Sequence, residues 1–188
     1  VFEKMVPGTE EALAPATRGR ASCLLLNSYK ENAHPLIDVY EGKISLDEFT
    51  AQLDDDDLIH LLGGQPNTSV ANTYGYGNLP EYGVPNIMTA DGPAGLRINP
   101  QCEVCTTAWP CATLLASTWN PALIEQVGTA GAAEVKENNI AVWLTPAVNI
   151  HRNPLCGRNF EYYSEDPLLA GKMGAAMVRG IQSQHIAA

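Results

Sequence analysis

Two clusters of residues in this chain have the types and spacing to do chemistry. The first is DGPAGLR, Asp91 to Arg97, with a carboxylate at the head of a glycine-proline turn and a guanidinium at its end. Glycine lets backbone approach a ligand closely, a carboxylate accepts hydrogen bonds, and a planar guanidinium donates them as a fork. That set suits the hydroxyls of a sugar. It also suits a salt bridge that stabilises a tight turn, because Asp-Gly-Pro is common turn chemistry. Spacing alone leaves both readings open.

The second cluster is GRNFEYYSEDP, Gly157 to Pro167. Arg158 stands between Gly157 and Asn159, after a loop holding His151, Arg152 and Cys156, with Glu161, Glu165 and Asp166 close behind. Asp91 and Glu161 could be paired as acid and base, since glycosidases use two carboxylates flanking the bond they break. Nothing local supports that pairing. Glu161 can simply neutralise Arg158, and Asp166 before Pro167 reads as a helix cap.

Two further groupings carry weaker signals. The acidic run Asp54 to Asp57 could bind a metal, but a solvated helix start is favoured, with carboxylates offsetting the helix dipole. Cys102 and Cys105 have the spacing of half a zinc site or a redox pair. No second C-x-x-C or His pair follows, so incidental thiols and no metal are expected. The sequon Asn67-Thr68-Ser69 matters only in a glycosylating secretory pathway. The chain has no P-loop, no G-x-G-x-x-G after a strand and no G-x-S-x-G, and no cofactor is expected.

The elements that must position these residues read as alternating strands and helices. Ser45 and Glu48 form a capping box for a helix with an apolar face of Leu46, Phe49 and Leu53. A second helix begins near the acidic run and stops at Gly63-Gly64. Residues 65–82 read as a long ordered loop, and residues 84–90 as a strand running into Asp91. Residues 105–117 are apolar and irregular. Asn120-Pro121 opens a helix to about Asn139, burying Ile124, Val127, Gly131 and Val135. Residues 141–150 read as a strand buried on both faces. Asp166-Pro167 opens a last helix bearing Leu169, Met173, Met177 and Ile181. This order predicts a parallel α/β architecture.

Composition narrows the function classes. The chain has 188 residues, 45% hydrophobic and 17% charged, with a formal net charge of −10. Eleven Lys and Arg against 21 Asp and Glu argue against binding nucleic acid or an anionic membrane. Five cysteines, an odd number, favour a reducing compartment such as the cytoplasm. The first residue is Val1 and no signal-peptide layout is present, so the chain is expected to be a piece of a longer protein.

From about Leu58 onward, the stretches NLPEYGVPNIMTADGPAGLR, TTAWPCATLLASTWNPALIEQVG and TPAVNIHRNPLCGRNFEYYSEDP together resemble glycoside hydrolase family 3, mostly β-glucosidases and related exo-acting enzymes. The resemblance implies a partial (β/α)8 TIM-type barrel, the first β/α units only, over residues 44–188. Residues 1–43 would be a linker or interdomain connection, because His34 to Leu53 also resembles the lead-in of family members with permuted domains.

By motif position, Asp91 is similar to the carboxylate that binds hydroxyls of the non-reducing-end sugar. Arg97 and Arg158 resemble further contacts in that subsite. In the family, a Lys-His pair, the nucleophilic Asp and the acid/base Glu all lie outside the residues present here. No catalytic residue is therefore expected in this chain, and residues 1–188 alone should be inert and prone to associate.

The implied partners are a β-glucoside or oligosaccharide substrate, the remaining barrel and a second domain. A β-xylosidase or N-acetyl-β-glucosaminidase of the same family is the alternative, as is a non-catalytic sugar-binding or scaffold barrel.

Overall fold

The computed structural model describes residues 31–188, in two compact units. The first comprises residues up to Ser69 together with Tyr74–Met88; the second comprises Val70–Thr73 and Thr89–Ala188. Of the expected linker, residues 1–30 lie outside the described residues, as does Cys23, while the remainder includes the short helix α1, Leu36–Tyr40.

In the first unit, helix α2 spans Leu46–Ala51 and α3 spans Asp55–Leu62. Both start where local chemistry dictates. The Glu48 N–H donates to Ser45 Oγ at 3.1 Å while Glu48 Oε2 accepts from the Ser45 N–H at 2.7 Å. Asp54 and Asp57 make the same reciprocal cap, at 2.9 and 3.2 Å. The acidic run is thus a helix start.

Phe49, Leu79 and Tyr82 form the buried core of this unit, Phe49 and Tyr82 meeting edge to face at 6.5 Å, with Leu53 packed against them. Leu46 departs from expectation and is 60% exposed. It stands at the first helical position, where a side chain leans back past the cap and away from the core.

Strand β1, Gly75–Leu79, lies inside the segment expected to be loop, and it pairs antiparallel with β2, Val84–Asp91. The register runs from Gly75 opposite Met88 to Leu79 opposite Val84. Its glycines hide it from propensity but are required by it. A Cβ on Gly75 would fall 2.0 Å from Asn86 Oδ1.

In the second unit, the last residues of β2 pair parallel with β3, Val142–Leu144, placing Asp91 opposite Leu144. Helices α4 (Ala112–Ala116) and α5 (Pro121–Glu137) connect the two strands, and α6 (Pro167–Gln182) follows β3. Asn120 Oδ1 caps α5 through the Leu123 N–H at 3.2 Å, and Asp166 Oδ1 caps α6 through Leu168 and Leu169.

Trp143, Ile124, Val135, Met173 and Ile181 are fully buried, each contributing about 1.5–3 kcal/mol by leaving water. Helices α5 and α6 touch through glycine. A Cβ on Gly128 would lie 2.6 Å from the Met177 carbonyl oxygen, and one on Gly180 would lie 2.2 Å from that of Glu125. Gly131 similarly leaves room for the Trp143 ring.

The expected strand over residues 141–150 is shorter than its apolar run. Only Val142–Leu144 pairs, while Leu144 and Val148 are 46% and 56% exposed. Pro146, which follows a cis Thr145-Pro146 bond, has no N–H to extend a ladder. Among the described residues no helix is long and apolar enough to cross a membrane.

Candidate sugar site

Asp91 is the last residue of β2, and its backbone N–H donates to Asn72 Oδ1 at 3.0 Å. The chain then turns back on itself. The Arg97 N–H donates to the Asp91 carbonyl at 2.9 Å, and Arg97 Nη1 pairs with Asp91 Oδ2 at 2.8 Å. Gly92 and Gly95 within the turn have φ of +134° and +139°, which side chains rarely adopt. The carboxylate is 35% exposed and the guanidinium 57%, so both remain open to a ligand.

Arg158 belongs to the loop that follows β3, the strand parallel to β2 and in register with it at Asp91. That loop is tied down within itself and to α4. Asn159 Nδ2 donates to the Asn153 carbonyl at 2.9 Å, the His151 N–H to Ser164 at 3.1 Å, and Thr113 Oγ1 to Tyr162 at 2.8 Å. His151 Nε2 lies 3.0 Å from the same Tyr162 carbonyl.

Arg158 Nε makes a short ion pair with the buried Glu161 carboxylate. That hydrogen bond, and Glu161's charge behind it, raise the Arg158 pKa above its ordinary value; the charge of Asp91 adds a smaller push in the same direction.

Asp91 and Glu161 are each ion-paired with their own arginine. The turn after β2 carries a carboxylate acceptor and a guanidinium donor, and the loop after β3 carries a second guanidinium, groups of the kind that can bond hydroxyls. His151 and Arg152 are not engaged with Asp91 or Arg97. Cys102, Cys105, Cys111 and Cys156 have no disulfide partner, and no group of three metal-binding side chains exists, among the described residues.

One contact had no signal in the sequence. A strap of chain, residues 105–109, lies against the Asp91–Arg97 turn and is held by Glu134 of α5. The Glu134 carboxylate accepts from the Thr107 N–H at 3.1 and 3.2 Å and also from the Thr107 hydroxyl. The two residues are 27 positions apart, and Glu134 lies outside every stretch that the sequence singled out.

Comparison with known proteins identifies the family. Residues 74–188 match the glycosyl hydrolase family 3 N terminal domain. Beta-glucosidase A of Butyrivibrio fibrisolvens is 66% identical over 152 residues, covering 81% of this chain and 18% of that protein. A solved beta-glucosidase from Paenibacillus barengoltzii matches with a TM-score of 0.76 and 41% identity, over 82% of this chain and 17% of the other. Beta-glucosidase 3B of Thermotoga neapolitana, solved in complex with alpha-D-glucose, matches with a TM-score of 0.67 and 45% identity, over 74% and 22%.

The chain spans less than a quarter of the length of these relatives. Its β/α units are the first of a (β/α)8 TIM-type barrel. With more than half of its residues inside the family's match, the chain belongs to glycosyl hydrolase family 3, as part of the N terminal domain.

Proposed function

We propose that this chain supplies part of the subsite for the terminal, non-reducing sugar in a retaining exo-acting β-glycosidase that removes β-D-glucosyl residues. Residues 44–188 are the opening of its catalytic barrel and residues 1–43 connect to another domain. The observation that carries the reading is the open Asp91–Arg97 pair at the C-terminal end of β2, the end where parallel barrels present their chemistry. The family relatives and the solved complex with alpha-D-glucose support it.

The chemistry divides accordingly. In a retaining glycosidase one carboxylate attacks the anomeric carbon, and a second protonates the leaving oxygen and later activates water, the two about 5 Å apart. Those two groups come from the rest of the enzyme. Asp91 accepts hydrogen bonds from ring hydroxyls while Arg97 and Arg158 donate, fixing the sugar where attack is in line. Bonds that strengthen as the ring distorts towards the oxocarbenium-like state lower the barrier.

The test is Asp91→Ala in the intact enzyme. Loss of one or two charge-assisted hydrogen bonds, at about 1.5–3 kcal/mol each, lowers kcat/KM on an aryl β-glucoside by about 10- to 10⁴-fold. The Tm should stay within a few degrees. A variant that unfolds, yet turns over normally per folded molecule, would show that the pair only stabilises its turn.

A further inference from the structure

We propose that Glu134 is a positioning residue for the sugar subsite, acting through the 105–109 strap to fix the turn that carries Asp91 and Arg97. The proposal rests on the subsite reading above.

Three contacts join strap and turn. The Trp109 N–H donates to the Ala94 carbonyl at 2.9 Å, and Thr106 Oγ1 donates to the Leu96 carbonyl at 2.7 Å. Gly95 sits so close that a Cβ there would lie 2.5 Å from the Thr107 carbonyl oxygen. The strap therefore grips the turn on both sides of Gly95, immediately before Arg97. Its backbone has no strand or helix of its own between Glu103 and Cys111.

What holds the strap is α5. Trp109 packs against the core, with its Nε1 3.4 Å from where a Gly131 Cβ would be. One helical turn further along α5, Glu134 receives both donors of Thr107 on its carboxylate. Helix α5 is anchored by fully buried Ile124, Ala132 and Val135. A partly buried carboxylate on a rigid helix thus fixes Thr107, Thr107 fixes the strap, and the strap sets the path of the chain into Arg97. Hydrogen bonds to an ionised acceptor are short and directional, so they transmit position better than neutral ones.

A kinetic cycle on an aryl β-glucoside, using the intact enzyme and rates per folded molecule, tests this. Glu134→Ala should lower kcat/KM about tenfold. In an Arg97→Ala background the same change should add less than about twofold, because residues acting through one another are not additive. Thr107→Val should reproduce the loss and Thr107→Ser should restore most of it, and this pair reads the same contact if Glu134→Ala fails to fold.

Equal losses in both backgrounds, or an unchanged kcat/KM with only a lowered Tm, would overturn the positioning role. Native kcat/KM in Arg97→Ala alone would instead overturn the subsite reading, and this proposal with it.

Discussion

Gly95 and Gly157 each sit in one of the two motifs, yet the same substitution should be costly at the first and nearly neutral at the second. Gly95 has φ of +139°, and an added Cβ would fall 2.5 Å from the Thr107 carbonyl oxygen, a backbone atom that no rotamer change can move. Holding alanine in that backbone region costs about 1–3 kcal/mol. Overpacking against fixed backbone costs about another 1–3 kcal/mol. The lower bound of about 2 kcal/mol, expressed as displacement of Arg97, is a loss of roughly 30-fold in catalytic efficiency.

Gly157 has nothing within 4 Å of its Cβ position. Gly157→Ala should therefore stay within about 0.5 kcal/mol, or roughly twofold, as surface substitutions do. Steady-state kinetics on an aryl β-glucoside, with thermal melts of the same preparations, measure both. If Gly95→Ala behaves like Gly157→Ala, the turn is not clamped as described, and the argument linking strap to site fails.

Three other outcomes are open to measurement. Ser45→Ala and Asp54→Ala each remove a reciprocal cap and should cost about 1 kcal/mol of unfolding free energy in denaturant titrations without altering kcat/KM. The Asp38 carboxyl is held below its ordinary 3.8, first by the Lys43 hydrogen bond and then by His34. Being depressed, it contributes stability above pH 3.8 that is lost as pH falls through the folded value; an NMR titration should show Lys43→Ala moving it back up. Elemental analysis should find no zinc, and a stoichiometric zinc lost when Cys102 and Cys105 are changed to Ser would contradict the reading of incidental thiols.

How far the molecule could be read from its sequence depended on the range of the interaction. The helix starts at Ser45, Asp54, Asn120 and Asp166 were legible because each cap closes within three residues. Strand β2 was legible because an apolar run ends abruptly in Asp91. Strand β1 was not, since Gly75 and Gly77 give no β signal and their purpose is visible only once Asn86 and Pro85 lie against them. The extent of β3 was overread because apolar content says nothing about pairing, and Pro146 ends the ladder.

At the site, the Asp91–Arg97 pair is a local contact that spacing allowed, and the Arg158–Glu161 pair was one of the two local readings. The Glu134–Thr107 contact depends on how α5 lies against the strap, which no short window of sequence contains.

The glycine contacts between α5 and α6 also constrain how this gene can change. Any single-base change in the first two positions of a glycine codon that does not create a stop introduces a residue with a Cβ. At Gly128 and Gly180 every such change drives an atom into a backbone carbonyl of the facing helix, and at Gly131 into an indole ring. Gly171, on the same α6 but with open space at its Cβ position, meets no such barrier. In a mutational scan of the intact enzyme, the first three codons should tolerate only silent changes, while codon 171 accepts alanine and serine freely. The α5–α6 seam is thus a stretch of the gene where mutational drift finds almost no neutral exit.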